Sequence, residues 1–332
     1  MGAPGSEVDG PHCEEFAAPQ EGVGGSWDWQ SLDKDPAEGQ GTDMPGAHTI
    51  TTDRRRELAD FLRGRRTRTS PSITRLAGLP VGRRRRTPGL RREELAQLAG
   101  LSVDWYTRLE QGRDVHPSRE TLEAIARVLQ LDDDERGHLF YLARPEHVRD
   151  PRPPSSARQE KPEPAMVRAL QAMGTPALVM SPRFDVLAWN EPVERLLVPF
   201  GERAPGERNL LWMGFHDEAL RARYADLPTV EKESVAAFRF NAGAFVGDPD
   251  FDTLITRMLE TSESFRLLWA RHEVRAKTGG LKAFRTDGEP LVLEWYSLAS
   301  TTATQQQLVY YVTRTGAAPS DEARLARWLA RP

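Results

Sequence analysis

The segment from Arg92 to Gln111 constrains the fold of this chain more than any other part of its sequence. Two short amphipathic stretches meet at Gly100, a residue type that adopts a left-handed turn without strain. Ala96 lies just upstream, and its side chain is small enough for two helices to approach each other closely. The apolar positions with helical spacing around this turn are Leu95, Leu98, Val103, Tyr106 and Leu109. Together these offsets predict a helix-turn-helix with a buried apolar seam.

The second helix of this pair, which we expect to begin after a Ser102 N-cap, carries the side chains best placed to read DNA bases. If it lies in a major groove, its outward side chains are Val103, Asp104, Trp105 and Arg108. An arginine suits guanine O6 and N7, an aspartate accepts from cytosine N4, and the two apolar side chains suit a thymine methyl group. Two alternatives remain open: Arg108 pairs with Asp104 on the same helix, and Trp105 packs into the core.

Charge is strongly segregated along the chain, although the net charge is only -4. Residues 1–50 hold ten acids and one lysine, whereas residues 51–131 hold eighteen arginines and ten acids. Four arginines stand in succession from Arg83 to Arg86, and adjacent like charges repel one another unless an anion lies nearby. An ordinary solvated surface is the alternative explanation. The residues that we expect to contact DNA phosphates are Arg84, Arg85, Arg86, Arg92, Thr107, Arg113 and Arg119.

Composition and chain-breaking residues divide the chain into five parts. Residues 1–50 are rich in glycine, proline and acid without apolar periodicity, so we expect a disordered acidic tail. Residues 51–147 contain helical segments with recognisable ends and form the predicted helix-turn-helix domain. The prolines of residues 148–164 predict a stiff linker. A second domain follows at residues 165–318, and residues 319–332 form a C-terminal tail.

The second domain shows two strand patterns, then helical stretches, then three more strand patterns. The strand patterns cover residues 177–180, 186–189, 281–284, 291–298 and 307–313. The helical stretches between them are residues 193–198, 217–224, 232–240 and 251–261. This order is typical of an α+β domain with an antiparallel sheet. The chain is therefore predicted to be multidomain, with an all-α domain followed by an α+β domain.

Five runs of residues resemble a known family. Arg84–Leu95 and Tyr106–Arg113 resemble the Xre/Cro-type helix-turn-helix regulators. Val186–Asn190, Asn209–Trp212 and Phe265–Val274 resemble the MmyB-like ligand-binding domain that one branch of these regulators carries. The resemblance extends over roughly residues 54 to 314, and several motifs in the same order make a chance match improbable.

The resemblance implies a five-helix, lambda-repressor-like fold for the first domain and a PAS-like fold for the second. It also implies sequence-specific binding to double-stranded DNA, control of transcription, and a pocket for a hydrophobic small molecule, a fatty acid in some relatives. The tract after Trp212, Met213–His216, departs from the family pattern at the pocket floor. A homodimer is expected because single helix-turn-helix units usually gain affinity by pairing on two half-sites.

Aromatic residues of the second domain are the candidates for lining such a pocket, because small apolar ligands bind in aromatic-lined cavities. Burial in the core is the alternative for most of them. His272 is the candidate for contact with a carboxylate head group, and a structural hydrogen bond is its alternative role. The candidate pocket residues are Trp189, Trp212, Trp269, His272 and Trp295.

Motifs of other protein classes are missing from the sequence. The single cysteine, Cys13, excludes a disulfide framework and a cysteine-based zinc site, and the seven histidines show no metal-binding pair at helical spacing. No nucleophile elbow, phosphate loop or dinucleotide fingerprint occurs, so we expect no enzyme, no metal and no cofactor. Without an apolar run of about 18 residues or a secretory signal, we expect no membrane partner and a cytoplasmic location.

One alternative function for the second domain stays open at this point. That domain would be a protein-interaction module, for a partner such as a sigma factor, and would have no small-molecule ligand. A third hypothesis, an enzyme joined to a DNA-targeting module, lacks any catalytic motif to support it.

Overall fold

The computed structural model of the protein describes residues 47–72, 89–143, 161–276, 278–286, 288–300, 305–314 and 319–330. The predicted phosphate contacts Arg84, Arg85 and Arg86 lie outside the described residues, as do most of the acidic segment and of the proline-rich linker. The first described helix begins at Ala47, so the end of the segment that the sequence assigns to a disordered tail is helical.

The described part of the first domain is all-α. Its helices are α1 Ala47–Arg68, α2 Arg92–Ala99, α3 Val103–Glu110, α4 Arg119–Leu129 and α5 Asp133–Ala143. The predicted helix-turn-helix is formed by α2 and α3, and Gly100 makes the turn between them with a φ of 70°. Ser102 caps α3 by accepting a hydrogen bond from the Trp105 backbone N–H at 3.2 Å. Ser118 caps α4 in the same way through Thr121. The predicted all-α helix-turn-helix domain is confirmed.

The core of the first domain joins α1 to the helix-turn-helix. Its buried apolar residues include Leu58, Phe61, Leu62, Leu95, Ala96, Tyr106, Leu109, Leu122, Ile125 and Leu139. Each large side chain removed from water contributes roughly 1.5–3 kcal/mol to folding. Of the predicted apolar seam, Leu95, Tyr106 and Leu109 are buried and Leu98 packs against them, so these residues hold α2 and α3 against α1 and α4. Val103 does not belong to the seam, since it is 42% exposed.

The second domain contains a five-stranded antiparallel sheet with strand order β2-β1-β5-β4-β3. Its strands are β1 Ala177–Met180, β2 Val186–Trp189, β3 Gly279–Phe284, β4 Leu291–Ala299 and β5 Gln307–Thr313. The last strand in the chain, β5, pairs with both β1 and β4 and so joins the two halves of the sheet. The predicted α+β class with an antiparallel sheet is confirmed, and only the ends of β3 and β4 differ from the predicted strands.

Helices surround this sheet. They are α6 Pro164–Ala172, α7 Glu191–Leu196, α8 Leu210–His216, α9 Glu218–Arg223, α10 Leu227–Ala244, α11 Pro249–Thr261, α12 Glu263–Trp269 and α13 Pro319–Leu329. Of these, α6 precedes β1, α13 follows β5, and the others lie in the sequence between β2 and β3. The sequence patterns missed α8, whose N-cap Asn209 accepts from the Trp212 backbone N–H at 2.9 Å. They also made α10 too short at both ends, since the helix begins at Leu227 after an Asp226 N-cap and continues to Ala244 through a last turn without apolar periodicity.

The two faces of the sheet have different coverings. On one face, Leu170 of α6 packs against Ala177, Val179 and Leu308. On the other face, the main core of the domain includes Leu325 of α13, and the Trp328 ring lies 6.4 Å from the Phe284 ring. Residues 319–332, which the sequence assigns to a C-terminal tail with a helical stretch at residues 321–329, include α13, which packs on the sheet domain.

The first and second domains share a packed boundary. Helix α5 contacts α10, where the α carbon of Gly243 lies so close to the His138 ring that a Cβ there would come within 2.5 Å of it. Val274, which follows α12, is buried in the core of the first domain, and Phe240 packs against that core. A change in one domain can therefore reach the other through direct side-chain contacts.

Candidate nucleic-acid interface and ligand pocket

The outward face of α3 carries the side chains that the sequence analysis predicted to contact DNA bases. Val103, 42% exposed, Asp104 and Arg108 face solvent. In the described structure no ion pair joins Asp104 to Arg108, so both side chains remain available to a partner. Trp105 is half-buried and packs against the domain core, which matches the alternative considered for it. Helix α3 thus presents a polar face with an apolar edge.

The opposite face of α3 is held by Glu110, a buried carboxylate that the sequence analysis overlooked. Arg66 of α1 donates to both of its oxygens, from Nε at 2.7 Å and from Nη2 at 2.6 Å. The Nε of Arg92 in α2 adds a third hydrogen bond at 3.1 Å. Burial alone would raise the pKa of Glu110, but the hydrogen bonds and charge of Arg66, together with Arg92, lower it below its ordinary value. This cluster fixes α3 against both α1 and α2.

The other predicted phosphate contacts lie around the ends of these helices. Arg92 is partly exposed while it pairs with Glu110. Arg113 is exposed just after α3, in a loop that the ion pair of Arg55 with Asp114, at 2.5 Å, ties to α1. Thr107 and Arg119 are half-buried, on α3 and at the start of α4 respectively. The helix-turn-helix therefore carries arginines at the start of α2, just after α3 and at the start of α4.

Three of the predicted pocket tryptophans have different packing partners in the second domain. The Trp189 ring lies 5.7 Å from the Phe200 ring. Trp212 is sandwiched between the stacked His216 ring, 3.8 Å away, and the Arg257 guanidinium. Trp295 is buried on the inner sheet face. Trp295 is thus part of the main core of this domain, and Trp189 and Trp212 are partly buried against it.

A cavity of about 180 Å³ lies at the boundary of the two domains. It is lined by Arg56, Glu57, Arg239, Ala242, Gly243, Phe245, Val246, Phe251, Asp252, Ile255 and Trp269. The first two residues belong to α1 of the helix-turn-helix domain, and the others belong to or flank α10, α11 and α12. Of the five predicted pocket residues, Trp269 alone is in this lining.

Arg239 is one of four charged residues in this lining, with Arg56, Glu57 and Asp252, and the sequence analysis did not select it. Only 2% of Arg239 is exposed, and its guanidinium lies 3.6 Å from the centre of the Trp269 ring. Its Nη1 binds Glu57 at 2.5 Å, and its Nη2 donates to the Trp269 carbonyl oxygen. Burial lowers the pKa of Arg239, while the nearby Glu57 carboxylate opposes that shift. An arginine in the middle of a helix gives no motif, and its partner is far away in sequence.

His272, the predicted head-group contact, lies close to α1 and is not in the cavity lining. Its ring is 3.3 Å from the position that a Cβ on Gly64 would occupy, and its backbone has a φ of 50°. Burial and the charge of Arg239 lower the pKa of His272 to about 4. The same two causes, burial first, lower the pKa of His138 to about 3. Both imidazoles are therefore neutral at pH 7 and add no positive charge to the boundary.

The fold and the exposed helix define the class, a helix-turn-helix DNA-binding protein with an appended α+β domain. Comparison with protein families agrees on both parts. Residues 57–139 match the model of a helix-turn-helix domain, and residues 162–327 match the model of the MmyB-like transcription regulator ligand binding domain. No curated protein matches the chain. Since the second match alone covers half of the chain, this protein belongs to the MmyB-like transcription regulators.

Two further features concern other kinds of site. In the described parts of the chain, no helix has both the length and the apolar character needed to cross a bilayer. Among those same residues, no group of histidine, cysteine or acidic side chains is arranged to hold a metal ion. The families that match are regulator domains and not enzymes.

Proposed function

We propose that this protein is a dimeric cytoplasmic regulator that reads a specific operator through α3 and responds to a hydrophobic small molecule bound by its second domain. The observation that carries this proposal is the face of α3, exposed on one side and locked on the other by Glu110. A recognition helix must be held rigidly so that its side chains meet base edges in register.

The residues of the helix-turn-helix divide into two roles in this proposal. Base edges are contacted by Val103, Asp104, Trp105 and Arg108. Exposure of Asp104 and Arg108, and the half-exposed edge of Trp105, support this role. Phosphates are contacted by Arg84, Arg85, Arg86, Arg92, Thr107, Arg113 and Arg119. The phosphate contacts supply affinity for DNA of any sequence and orient the recognition helix.

Two arginine substitutions separate these roles. Replacing Arg108 with alanine should cost about 1–3 kcal/mol at the operator and relax specificity at one base pair. Replacing Arg113 with alanine should weaken binding to every DNA sequence. It should also reduce the magnitude of the slope of log binding constant against log salt concentration by about one. Footprinting and titration at several salt concentrations, on the operator and on scrambled DNA, measure both effects. An equal loss from both variants on every sequence would contradict base reading by α3.

The effector belongs to the second domain in this proposal, and its hydrophobic character is supported by the apolar wall of the boundary cavity. Phe245, Phe251 and Ile255 line that wall. Of the predicted pocket residues, we assign Trp269 to effector contact. We assign the others to packing because each has its own partners, and they are Trp189, Trp212, His272 and Trp295.

The dimer in this proposal forms through the outer face of β3 and β4. Leu281, Val292, Tyr296 and Leu298 lie on this face and expose large apolar areas, while α6 covers the neighbouring half of the sheet. Exposed apolar patches of this kind mark interaction sites. We assign a second copy of the chain to this surface, because a two-fold dimer would present two recognition helices to two adjacent half-sites of an operator.

Light scattering on the purified chain tests the dimer. We expect a mass twice the 37.3 kDa of one chain. Leu298→Asp should shift the mass to that of a monomer, because it places a charge in the interface. The matched control is Leu267→Asp, a leucine of similar exposure on α12 (60% against 53% for Leu298), which should leave the mass unchanged. A monomeric wild-type protein, or equal effects of the two variants, would exclude this interface.

A further inference from the structure

A short stretch of the second domain supplies part of the core of the first. This stretch, residues 270–276, directly follows Trp269, the last residue of α12, and is here called the boundary segment. Its Val274 is 4% exposed and belongs to the buried core that α1, α4 and α5 form with the helix-turn-helix. Val274 does not belong to the main core of its own domain. The core of the DNA-binding domain is therefore completed by a side chain from the ligand-binding domain.

The backbone of the boundary segment is hydrogen-bonded to both domains. Arg68, in the last turn of α1, donates from Nη1 to the Arg271 carbonyl oxygen and from Nη2 to the His272 carbonyl oxygen, the latter at 3.5 Å. On the other side, the Arg275 backbone N–H donates to the Ala236 carbonyl oxygen of α10 at 3.2 Å. The boundary segment thus bridges α1 and α10.

The position of the boundary segment also has unfavourable features. His272 has a φ of 50°, a backbone conformation that residues other than glycine rarely adopt. Its Nδ1 and both ring nitrogens of the nearby His138 are buried without a hydrogen-bond partner among the described residues. Strained backbone and unsatisfied polar groups offset part of what the burial of Val274 contributes. The docked segment is therefore closely balanced against a withdrawn one, and such an equilibrium responds to small changes elsewhere in the molecule.

Withdrawal of the boundary segment would leave a hole beside α1 and α5. Leu58 and Phe61 of α1 and Leu139 of α5 share the core with Val274. Packed helices adjust only partly when a buried side chain leaves, so these two helices would lose contacts. Because α1 also supplies Arg66, which holds Glu110 at the end of α3, the effect extends to the DNA-facing helix.

We propose that the boundary segment is a plug that completes the core of the first domain and, when docked, holds α1, α3 and α5 in the arrangement that binds DNA. The plug begins at the wall of the boundary cavity, since Trp269 lines that cavity and directly precedes it. This inference rests on the proposed function for its consequence on DNA binding, and it names the element through which the second domain acts on the first.

A reversible disulfide can hold the plug in its docked position. A Cβ on Gly64 of α1 would lie 3.3 Å from the Cβ of His272, close to the roughly 3.5–4.5 Å that joins the two Cβ atoms of a disulfide. Cys13→Ser removes the single native thiol. In that background, oxidation of the variant Gly64→Cys/His272→Cys links only these two positions. We call this triple variant the parent, and both of its redox states carry the same substitutions.

Val274→Ala in the parent tests the plug, because it removes most of the side chain that fills the hole. The measured quantity is the ratio of reduced to oxidised hydrogen-exchange rates in α1 and α5, since a disulfide also constrains the unfolded chain in every variant. We expect this ratio to be at least about fivefold larger for Val274→Ala than for the parent, because only the disulfide then keeps the plug docked.

The matched control is Val128→Ala, which truncates another buried valine of the same core, on α4. Its ratio should equal that of the parent within about twofold, because its hole lies away from the plug. The plug is excluded if Val274→Ala has the same ratio as the parent, or if Val128→Ala raises the ratio as much. Should reduced Val274→Ala not fold, Val274→Thr replaces it and is judged in the same way.

DNA binding is measured on the same proteins with a duplex that the wild-type chain selects from a random-sequence library. Reduced Val274→Ala should bind this duplex at least about fivefold more weakly than the parent, and oxidation should restore the affinity. Unchanged affinity despite altered exchange would overturn the link from the plug to α3. If the wild type selects no duplex, the proposed function fails, whereas the exchange ratios still decide whether the plug completes the core.

Discussion

Glu110 shows, at the scale of single residues, how one buried carboxylate organises the helix-turn-helix. It has no exposed surface and receives hydrogen bonds from Arg66 and Arg92, so three helices meet at one charge. Removing one partner of a buried ion pair is strongly destabilising, by about 3–5 kcal/mol, since the other charge is then left without compensation. This cost applies to Arg66, the buried partner of Glu110; Arg92, with 41% of its side chain exposed, makes a solvent-screened contact and stays accessible to a phosphate.

His138 makes the stability of the protein depend on pH in the acidic range. Its folded-state pKa is about 3, whereas the unfolded chain takes up a proton near pH 6.5. Between these values the unfolded state binds more protons, so the free energy of unfolding falls as the pH is lowered, by about 1.4 kcal/mol per pH unit from this group. His138→Leu should flatten the dependence of stability on pH between about 6.5 and 3, as measured by urea denaturation.

His116→Leu is the control for this measurement. Its side chain is 88% exposed, so the substitution should leave the slope of stability against pH as in the wild type. Equal slopes for the wild type and His138→Leu would show that the unfolded and folded states protonate this imidazole alike.

At the scale of elements, the turn between α2 and α3 depends on the backbone of one residue. Gly100 has a φ of 70°, and no atom lies within 4 Å of the position that its Cβ would take. A side chain there meets no neighbour, so the whole cost of a substitution is that of the left-handed conformation.

Gly100→Ala should therefore lower the free energy of unfolding by about 1–2 kcal/mol. Gly100→Asn should cost less, because asparagine tolerates the left-handed region. Chemical denaturation of the three proteins measures the difference. If alanine and asparagine proved equivalent, side-chain contacts and not backbone conformation would govern this turn.

At the scale of the whole molecule, the contact between α5 and α10 decides how the two domains meet. A Cβ on Gly243 would lie 2.5 Å from Cε1 and 2.6 Å from Nδ1 of His138. The His138 ring is buried and packs at 5.1 Å against Phe61, so it has little room to move. The absence of a side chain at position 243 thus permits the close approach of the two domains.

Gly243→Ala should force α5 and α10 apart and lower the free energy of unfolding by about 1–3 kcal/mol, the usual cost of overpacking. Hydrogen exchange in α5 and α10 should increase in parallel. Gly214→Ala is the matched control, since it lies in a helix with nothing within 4 Å of its Cβ position. The free energy of unfolding of Gly214→Ala should rise by about 0.5–1 kcal/mol, because alanine has a higher helix propensity than glycine. Unchanged exchange at the boundary in Gly243→Ala would contradict this account of domain packing.

Sequence analysis predicted turns, caps and strands that neighbouring residues determine better than it predicted contacts between residues far apart in the chain. The turn at Gly100, the caps at Ser102 and Ser118, and the strand β5 were all predicted at their observed places, because each is set by residues within a few positions of it. Helix α8 was missed since its apolar residues follow no simple period and its cap, Asn209, was not recognised.

The site was less accessible to sequence reasoning than the fold. Exposure of Asp104 and Arg108 on α3 follows from helical spacing and was anticipated. The ligand pocket stays a prediction: the four candidate tryptophans were chosen by residue type, and among them Trp269 lines the boundary cavity. Aromatic residues fill cores as readily as they line pockets, so type alone does not separate the two roles.

The amino-acid sequence by itself determined the helix-turn-helix, the order of strands and helices, and the face of α3 that meets solvent, because hydrophobic period, caps and turn glycines act over a single turn or strand. Only the tertiary structure decided that Glu110 meets Arg66, and that Glu57 meets Arg239 beside a cavity between two domains. These partners are far apart along the chain, and their pairing depends on how whole helices pack. No local pattern specifies that arrangement.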